Sequence, residues 1–370
     1  MQWMLSDFSL FLNSYWKHRF LIRNSYHPQN HFCYSIDKKA NKDFHARIKG
    51  LASCFPNVVI TPEEFNVDSA GHYMDHAFYN CMKLFSKRPG WEYMILLQNH
   101  DVIIKSPYEI VEIYKSLGGA NDVEITPCPD GRWNHSLKWD ARSLKLFANV
   151  VIPQLSESSV SSKQLSATLR FAKGATQASL SRAAVEWLVG TVNLTTLLDQ
   201  INAMPFGVDE VLMQSLQVSD ELDMPGRFTF ECLKQGKNTD FITRMSHWPS
   251  GAELCRSRKI RKGICILGLE DLQLLSKYPN VMANKVMLPD FDYGAIDCIH
   301  EVIFNRTFLG QVDHPLNLNY YRNMANLSKQ HSNPSMYGFG MVLERSPCNG
   351  GSRDFVLSNL KIHPEAADLQ

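Results

Sequence analysis

Two carboxylates stand side by side, Asp209 and Glu210, at the head of the apolar run VLMQSLQV (211–218). A carboxylate held within hydrogen-bond reach of a hydroxyl takes its proton in the transition state, so the pair has the residue types of a general base. The same two residues suit a helix start, where free N–H groups and the helix dipole favour negative charge. Three further polar groups stand out. Asp37 and the tetrad Gln98-Asn99-His100-Asp101 each follow an apolar run, and RSRKIRK (256–262) is dense in cations. Taken alone, the first two are ligand-facing strand ends or plain loop starts, and the third is an anion site or a solvated basic loop.

The elements that must carry these groups read as an alternation. HFCYSID (31–37), NVVIT (57–61) and WEYMILLQNHD (91–101) have strand patterns, and FHARIKGLASCF (44–55) and HYMDHAFYNCMKLFSK (72–87) have helical spacing. Short apolar strands alternating with helices predict a parallel, doubly wound α/β sheet. In such sheets ligands bind beyond the carboxyl ends of the strands, which is where Asp37 and the tetrad fall. Further on, the pattern predicts helices over 176–190, from Asp209, over 269–277 and over 294–304. A Ser-rich stretch over 154–169 reads as a surface insert, and the periodicity fades after about residue 310.

Composition narrows the class. The 370 residues carry 38 basic and 37 acidic side chains and are 44% hydrophobic, which describes a globular protein and gives no basic excess for nucleic-acid binding. No apolar stretch is long enough to span a bilayer, and the first residues lack the layout of a signal peptide. There is no G-x-G-x-x-G, P-loop, H-E-x-x-H or G-x-S-x-G, which disfavours dinucleotide, NTPase, metalloprotease and α/β-hydrolase readings. Nine dispersed cysteines, none in a C-x-x-C, and four sequons at Asn134, Asn193, Asn305 and Asn326 favour a glycosylated, disulfide-bearing protein of the secretory pathway.

Six blocks, in order, resemble the core-2/I-branching β-1,6-N-acetylglucosaminyltransferase family, which also contains peptide O-xylosyltransferases. They are HPQNHFCYSIDKK (27–39), LASCFPNVVIT (51–61), YNCMKLF (79–85), WEYMILLQNHDVIIKSPYEIV (91–111), GVDEVLMQSLQ (207–217), and ICILGLEDLQLLSKYPNVMANK (264–285) running into AIDC (295–298). The resemblance implies a GT-A fold, with a Rossmann-like nucleotide-sugar sheet over about 27–125 and an acceptor half over about 126–310. Residues 1–26 then form a truncated or atypical N-terminal segment, and 311–370 a loosely ordered appendage.

The resemblance also implies an inverting, UDP-sugar-dependent transfer to a glycan or glycoprotein hydroxyl, with N-acetylglucosamine as the sugar. A xylosyltransferase acting on protein Ser is the enzymatic alternative, and an inactive glycan-binding relative the alternative of another class. By position, Glu210 takes the place of the Glu in the family's S-P-D-E motif and is the expected base, leaving Asp209 to the helix start. No metal or other cofactor is expected, because basic side chains hold the diphosphate in this family. Lys285 matches one of these, and Lys262 stands where the family has an Arg, with Arg261 beside it. Lys keeps the charge and loses the bidentate fork. Asp290-Phe291-Asp292 spells a D-x-D but sits where the family has no metal role.

Asp37 is expected at the uridine, and Glu124, Arg132 and Trp248 at the acceptor. The family pattern predicts the disulfides Cys33–Cys81 and Cys255–Cys265. Cys54 and Cys298 match cysteines whose partners lie upstream, and Cys128 and Cys232 are left to pair with each other. A Golgi, type II membrane protein is implied, anchored through an N-terminal segment that this chain lacks.

Overall fold

In the computed structural model the described residues are 2–8 (backbone only), 26–147, 160–250, 254–286, 291–311 and 313–324. Thirteen strands are described. The main sheet takes six of them: β1 (Gln2–Phe8), β2 (Asn30–Tyr34), β3 (Val58–Ile60), β4 (Trp91–Gln98), β6 (Asp122–Val123) and β9 (Ala178–Ser181). Their order is β3-β2-β1-β4-β9-β6. The first four run parallel, β9 is antiparallel to β4, and β6 is antiparallel to β9. The N-terminal stretch read as atypical therefore supplies a central strand, with Leu5 opposite Phe32 on one side and Ile95 on the other.

Period-two alternation explains why β4 is almost continuously apolar. Tyr93, Ile95 and Leu97 face one core with Phe32 and Tyr34, while Met94 and Leu96 face another with Cys33. The first face is covered by α1 (Lys42–Cys54), which Asn41 caps by accepting from Phe44 N at 2.7 Å, and by α3 (Pro107–Leu117). Helix α3 starts at a Ser106/Glu109 capping box with Pro at its first turn, and buries Ile110, Ile113, Tyr114 and Leu117 on one side. The second face is covered by α2 (Met74–Ser86) and α4 (Arg182–Gly190). The Cys33–Cys81 disulfide ties β2 to α2, as the resemblance implied.

A smaller sheet joins β10 (Arg244–Ser246), β13 (Met282–Asn284) and β5 (Val102–Ile103) in that order. Its apolar side packs on α6 (Tyr293–Phe308) through Val102, Ala283, Ile296, Ile299 and Ile303. Two ribbons complete the strands: β7 (Thr126–Pro127) with β8 (Ala172–Lys173), and the hairpin β11 (Ile260–Arg261) with β12 (Ile264–Cys265). The hairpin is closed by the expected Cys255–Cys265 disulfide.

Several expectations shift. The helix read over 176–190 is a strand followed by a helix: Ala178–Ser181 is wholly buried between β4 and β6, and Ser181 then caps α4 by accepting from Ala184 N. Small residues there match a helix pattern, and only the sheet edge at β4 decides for a strand. The stretch beginning at Asp209 is a 3₁₀ turn (Val208–Glu210) followed by α5 (Leu212–Val218). Residues 313–324 do not hang loose, because α7 (Leu318–Arg322) buries Tyr321, whose hydroxyl donates to Pro279 O at 2.8 Å. The rest of the expected appendage lies outside the described residues. Cys128 is a free thiol and Cys232 is disulfide-bonded, so these two do not pair; Cys54 and Cys298 are also free thiols.

Candidate active site

The Glu210 side is built around a glycine. Gly207 has φ +61, and a Cβ there would lie 2.0 Å from Arg132 Nη2 and 3.0 Å from Glu210 Oε2. The missing side chain admits Arg132, which comes from the 3₁₀ turn Asp130–Arg132. Arg132 Nη2 donates to Glu210 Oε2 and to Gly207 O, both at 2.9 Å. Its guanidinium also lies 5.7 Å from the ring centroid of Phe206, the residue before the glycine. The Glu210 backbone is fixed from below, its carbonyl accepting from Gly174 N at 3.0 Å. Gly174 has no room for a Cβ because the Glu124 carbonyl occupies that space, which puts Glu124 in the same neighbourhood.

Asp209 turns the other way. It makes no capping bond to α5; instead its Oδ2 accepts from Thr176 Oγ1 at 2.9 Å, and its Oδ1 sits against Gly71, where a Cβ would come within 2.0 Å. Burial pushes the Asp209 carboxyl up to about 6, with the Glu210 charge adding to the rise. Asp75, in the first turn of α2, is raised further by burial and by the facing Asp209. The two adjacent acids thus divide: Glu210 is half-exposed beside Arg132, and Asp209, itself partly buried, faces the buried Asp75.

The second half of the site is cationic. Strand β13 delivers Lys285, β10 delivers Arg244, and the hairpin delivers Arg261 and Lys262. Lys262 (φ +50) and Gly263 (φ +79) form the two-residue turn between β11 and β12, the left-handed conformation that such hairpins need. Burial and, after it, the charges of Arg244, Arg261 and Lys262 lower Lys285 to about 8 against the opposing pull of Asp101. Asp101, just past the carboxyl end of β4, is buried and organises this half. It accepts from Gln98 N at 2.6 Å, Gln177 Nε2 at 2.8 Å and Asn284 Nδ2 at 2.8 Å. Arg244 Nη1 in turn donates to Gln177 Oε1 at 2.8 Å.

Residues 174–177 join the halves. Gly174 holds Glu210, Thr176 holds Asp209, and Gln177 holds both Asp101 and Arg244. The structure thus brings Glu124, Arg132 and Glu210 together on one side, and Arg261, Lys262 and Lys285 on the other. Trp248 stands with the hairpin, where a Cβ on Gly263 would come 3.0 Å from its ring, and remains 58% exposed. Asp37 lies past the end of β2, buried, with its oxygens turned to its own loop: Oδ1 accepts from Lys39 N at 3.0 Å, and Lys39 Nζ pairs with Oδ2 at 3.6 Å. Asp292 of the D-x-D accepts from Ala295 N and Leu269 N, capping α6. Among the sequons, Asn134 is exposed, Asn193 accepts from Thr195 N at 3.1 Å, Asn305 lies within α6, and Asn326 is outside the described residues.

Sequence reasoning missed Arg244, Gln177, Phe206 and Asp75. Arg244 lies four residues before Trp248 and carried no expectation of its own, and Gln177 lies inside the stretch expected as a helix over 176–190. Phe206 directly precedes the motif and had no pattern of its own to mark it.

The profile described as "Core-2/I-Branching enzyme" matches residues 10–276, and the chain belongs to this family. The chain is 28% identical over 293 residues to the Bos taurus β-1,3-galactosyl-O-glycosyl-glycoprotein β-1,6-N-acetylglucosaminyltransferase, covering 76% of this chain and 65% of that protein. It is 25% identical over 304 residues to the Rattus norvegicus enzyme of that name numbered 3, covering 78% and 65%. A stretch of 107 residues, 29% of this chain and 25% of the relative, reaches 40% identity with the Danio rerio enzyme numbered 4. The chain spans 65% of the length of the first two relatives. Among the described residues, no helix is long and apolar enough to cross a membrane.

Proposed function

We propose that this protein is an inverting glycosyltransferase of GT-A type that moves N-acetylglucosamine from UDP-N-acetylglucosamine to a glycan hydroxyl, making a β-1,6 branch. The observation that carries this is the four-residue stretch 174–177, which ties the half-exposed Glu210 and, through Gln177, Arg244 of the cationic cluster to one piece of backbone. Glu210 accepts the acceptor's hydroxyl proton while that oxygen bonds to the anomeric carbon from the face opposite the diphosphate. The carbon–oxygen bond to the diphosphate breaks, and its electron pair leaves with UDP. Lys285, Arg244, Arg261 and Lys262 neutralise the charge that grows there, the place where other enzymes use a divalent ion. Asp37 contacts the uridine, and Glu124, Arg132 and Trp248 contact the acceptor. The setting is the Golgi lumen.

The direct experiment is a donor panel of UDP-N-acetylglucosamine and UDP-xylose against a β-1,3-galactosyl O-glycan and a Ser peptide, with and without EDTA, read by mass spectrometry. Transfer of N-acetylglucosamine to the glycan in EDTA supports the reading. Xylosyl transfer to the peptide, or glycan binding without turnover, contradicts it.

A further inference from the structure

Phe206 is a large apolar side chain left 61% exposed beside a polar site. A single exposed ring is ordinary on a protein surface. What sets this one apart is its attachment to the base. Phe206 immediately precedes Gly207, its ring carries the Arg132 guanidinium at 5.7 Å, and that guanidinium reaches Glu210 at 2.9 Å. The Arg132 loop is held in place from behind: Trp133 stacks on Phe171 with ring centroids 4.6 Å apart and planes 5° from parallel, and Phe171 meets Trp139 edge-on at 4.9 Å. Ring, guanidinium and carboxylate therefore form one preset shelf. Trp248, the aromatic expected at the acceptor, packs against the hairpin that carries Arg261 and Lys262.

We propose that Phe206 is the acceptor platform of this site: its ring takes the C–H face of the acceptor pyranose and so aims that sugar's hydroxyl at Glu210. This rests on the glycosyltransferase reading and adds to it a residue that determines acceptor specificity. A pyranose with one face bare of hydroxyls covers the ring well, and one with polar groups on both faces does not. The guanidinium beside the ring polarises the same shelf and is free to move toward a sugar hydroxyl when Glu210 takes up a proton.

The test uses the whole chain, with a β-1,3-galactosyl O-glycan as acceptor probe and UDP as donor-side probe. Because the side chain is exposed, Phe206→Ala is expected to fold and to hold UDP within about twofold of wild type. Its acceptor KM should rise about tenfold, more than kcat falls, with Phe206→Tyr restoring it. Glycan affinity without donor, measured by calorimetry, should weaken by the same factor. If wild type turns over and the acceptor KM of Phe206→Ala stays at the wild-type value, the platform is overturned and the glycosyltransferase reading stands. If the glycan binds through Phe206 with no turnover of any donor, the platform stands and the glycosyltransferase reading falls. If wild type binds no glycan, both fall.

Discussion

Arg132 Nη2 and Glu210 Oε2 are 2.9 Å apart, and the arginine reaches the carboxylate only because residue 207 has no side chain. The pair is partly exposed, so its contribution to stability is small. Its consequence is orientation: the guanidinium holds the acid beside Phe206 and, through Gly207 O, to the turn that carries it.

Gly207→Ala is expected to damage activity more than folding. Alanine at φ +61 costs about 1–2 kcal/mol, and its Cβ must displace the end of Arg132, a flexible side chain that can move. With Glu210 misaligned, kcat/KM should fall about a hundredfold. Thermal melting and transfer kinetics on the same preparation check both halves of this prediction.

Lys285 is expected to make UDP binding pH-dependent. Its folded-state value is lowered to about 8, so the ammonium that a diphosphate needs is lost as pH rises through 8. UDP affinity should be flat below about pH 7 and fall by up to about tenfold per unit above pH 8. Without ligand the sign reverses. The unfolded chain holds this proton up to its ordinary range, so the Lys285 contribution to stability rises with pH above 8. Calorimetric titration of UDP from pH 6 to 9 on wild type and Lys285→Arg separates this residue from the rest, since arginine stays charged throughout.

Asp209 makes stability depend on pH in the acid range. Its folded-state value, about 6, lies above its ordinary value, so the protonated form is favoured on folding. That stability is complete below about pH 4 and is lost as pH rises through 6, by roughly 3 kcal/mol in all. Asp75, Glu210, Arg132 and His72 face the same group electrically, so the relevant quantity is the difference between wild type and Asp209→Asn. Denaturant unfolding from pH 4 to 7 should show the variant gaining on wild type across that window.

Much of the main sheet was legible because it is local. Three of the four parallel strands and the helices α1 and α2 announce themselves by apolar period, whereas α3 with its Ser106/Glu109 cap carried no such expectation. The resemblance marked Glu210, Lys285 and both described disulfide pairs. What stayed hidden depends on contacts distant in sequence. Ala178–Ser181 is a strand only because β4 and β6 lie beside it. Asp209 faces inward only because Gly71 makes room for it and Thr176 donates to it. Phe206 matters through Arg132, which is 74 positions away.

The central claim is that Glu210, rather than its neighbour, removes the acceptor proton. The most direct measurement is transfer of N-acetylglucosamine from UDP-N-acetylglucosamine to a β-1,3-galactosyl O-glycan by Glu210→Gln, with UDP affinity measured alongside. A loss of about 10²- to 10⁴-fold in kcat, with UDP affinity within about twofold of wild type, is predicted. A Glu210→Gln enzyme that keeps its turnover within about tenfold of wild type would contradict the assignment.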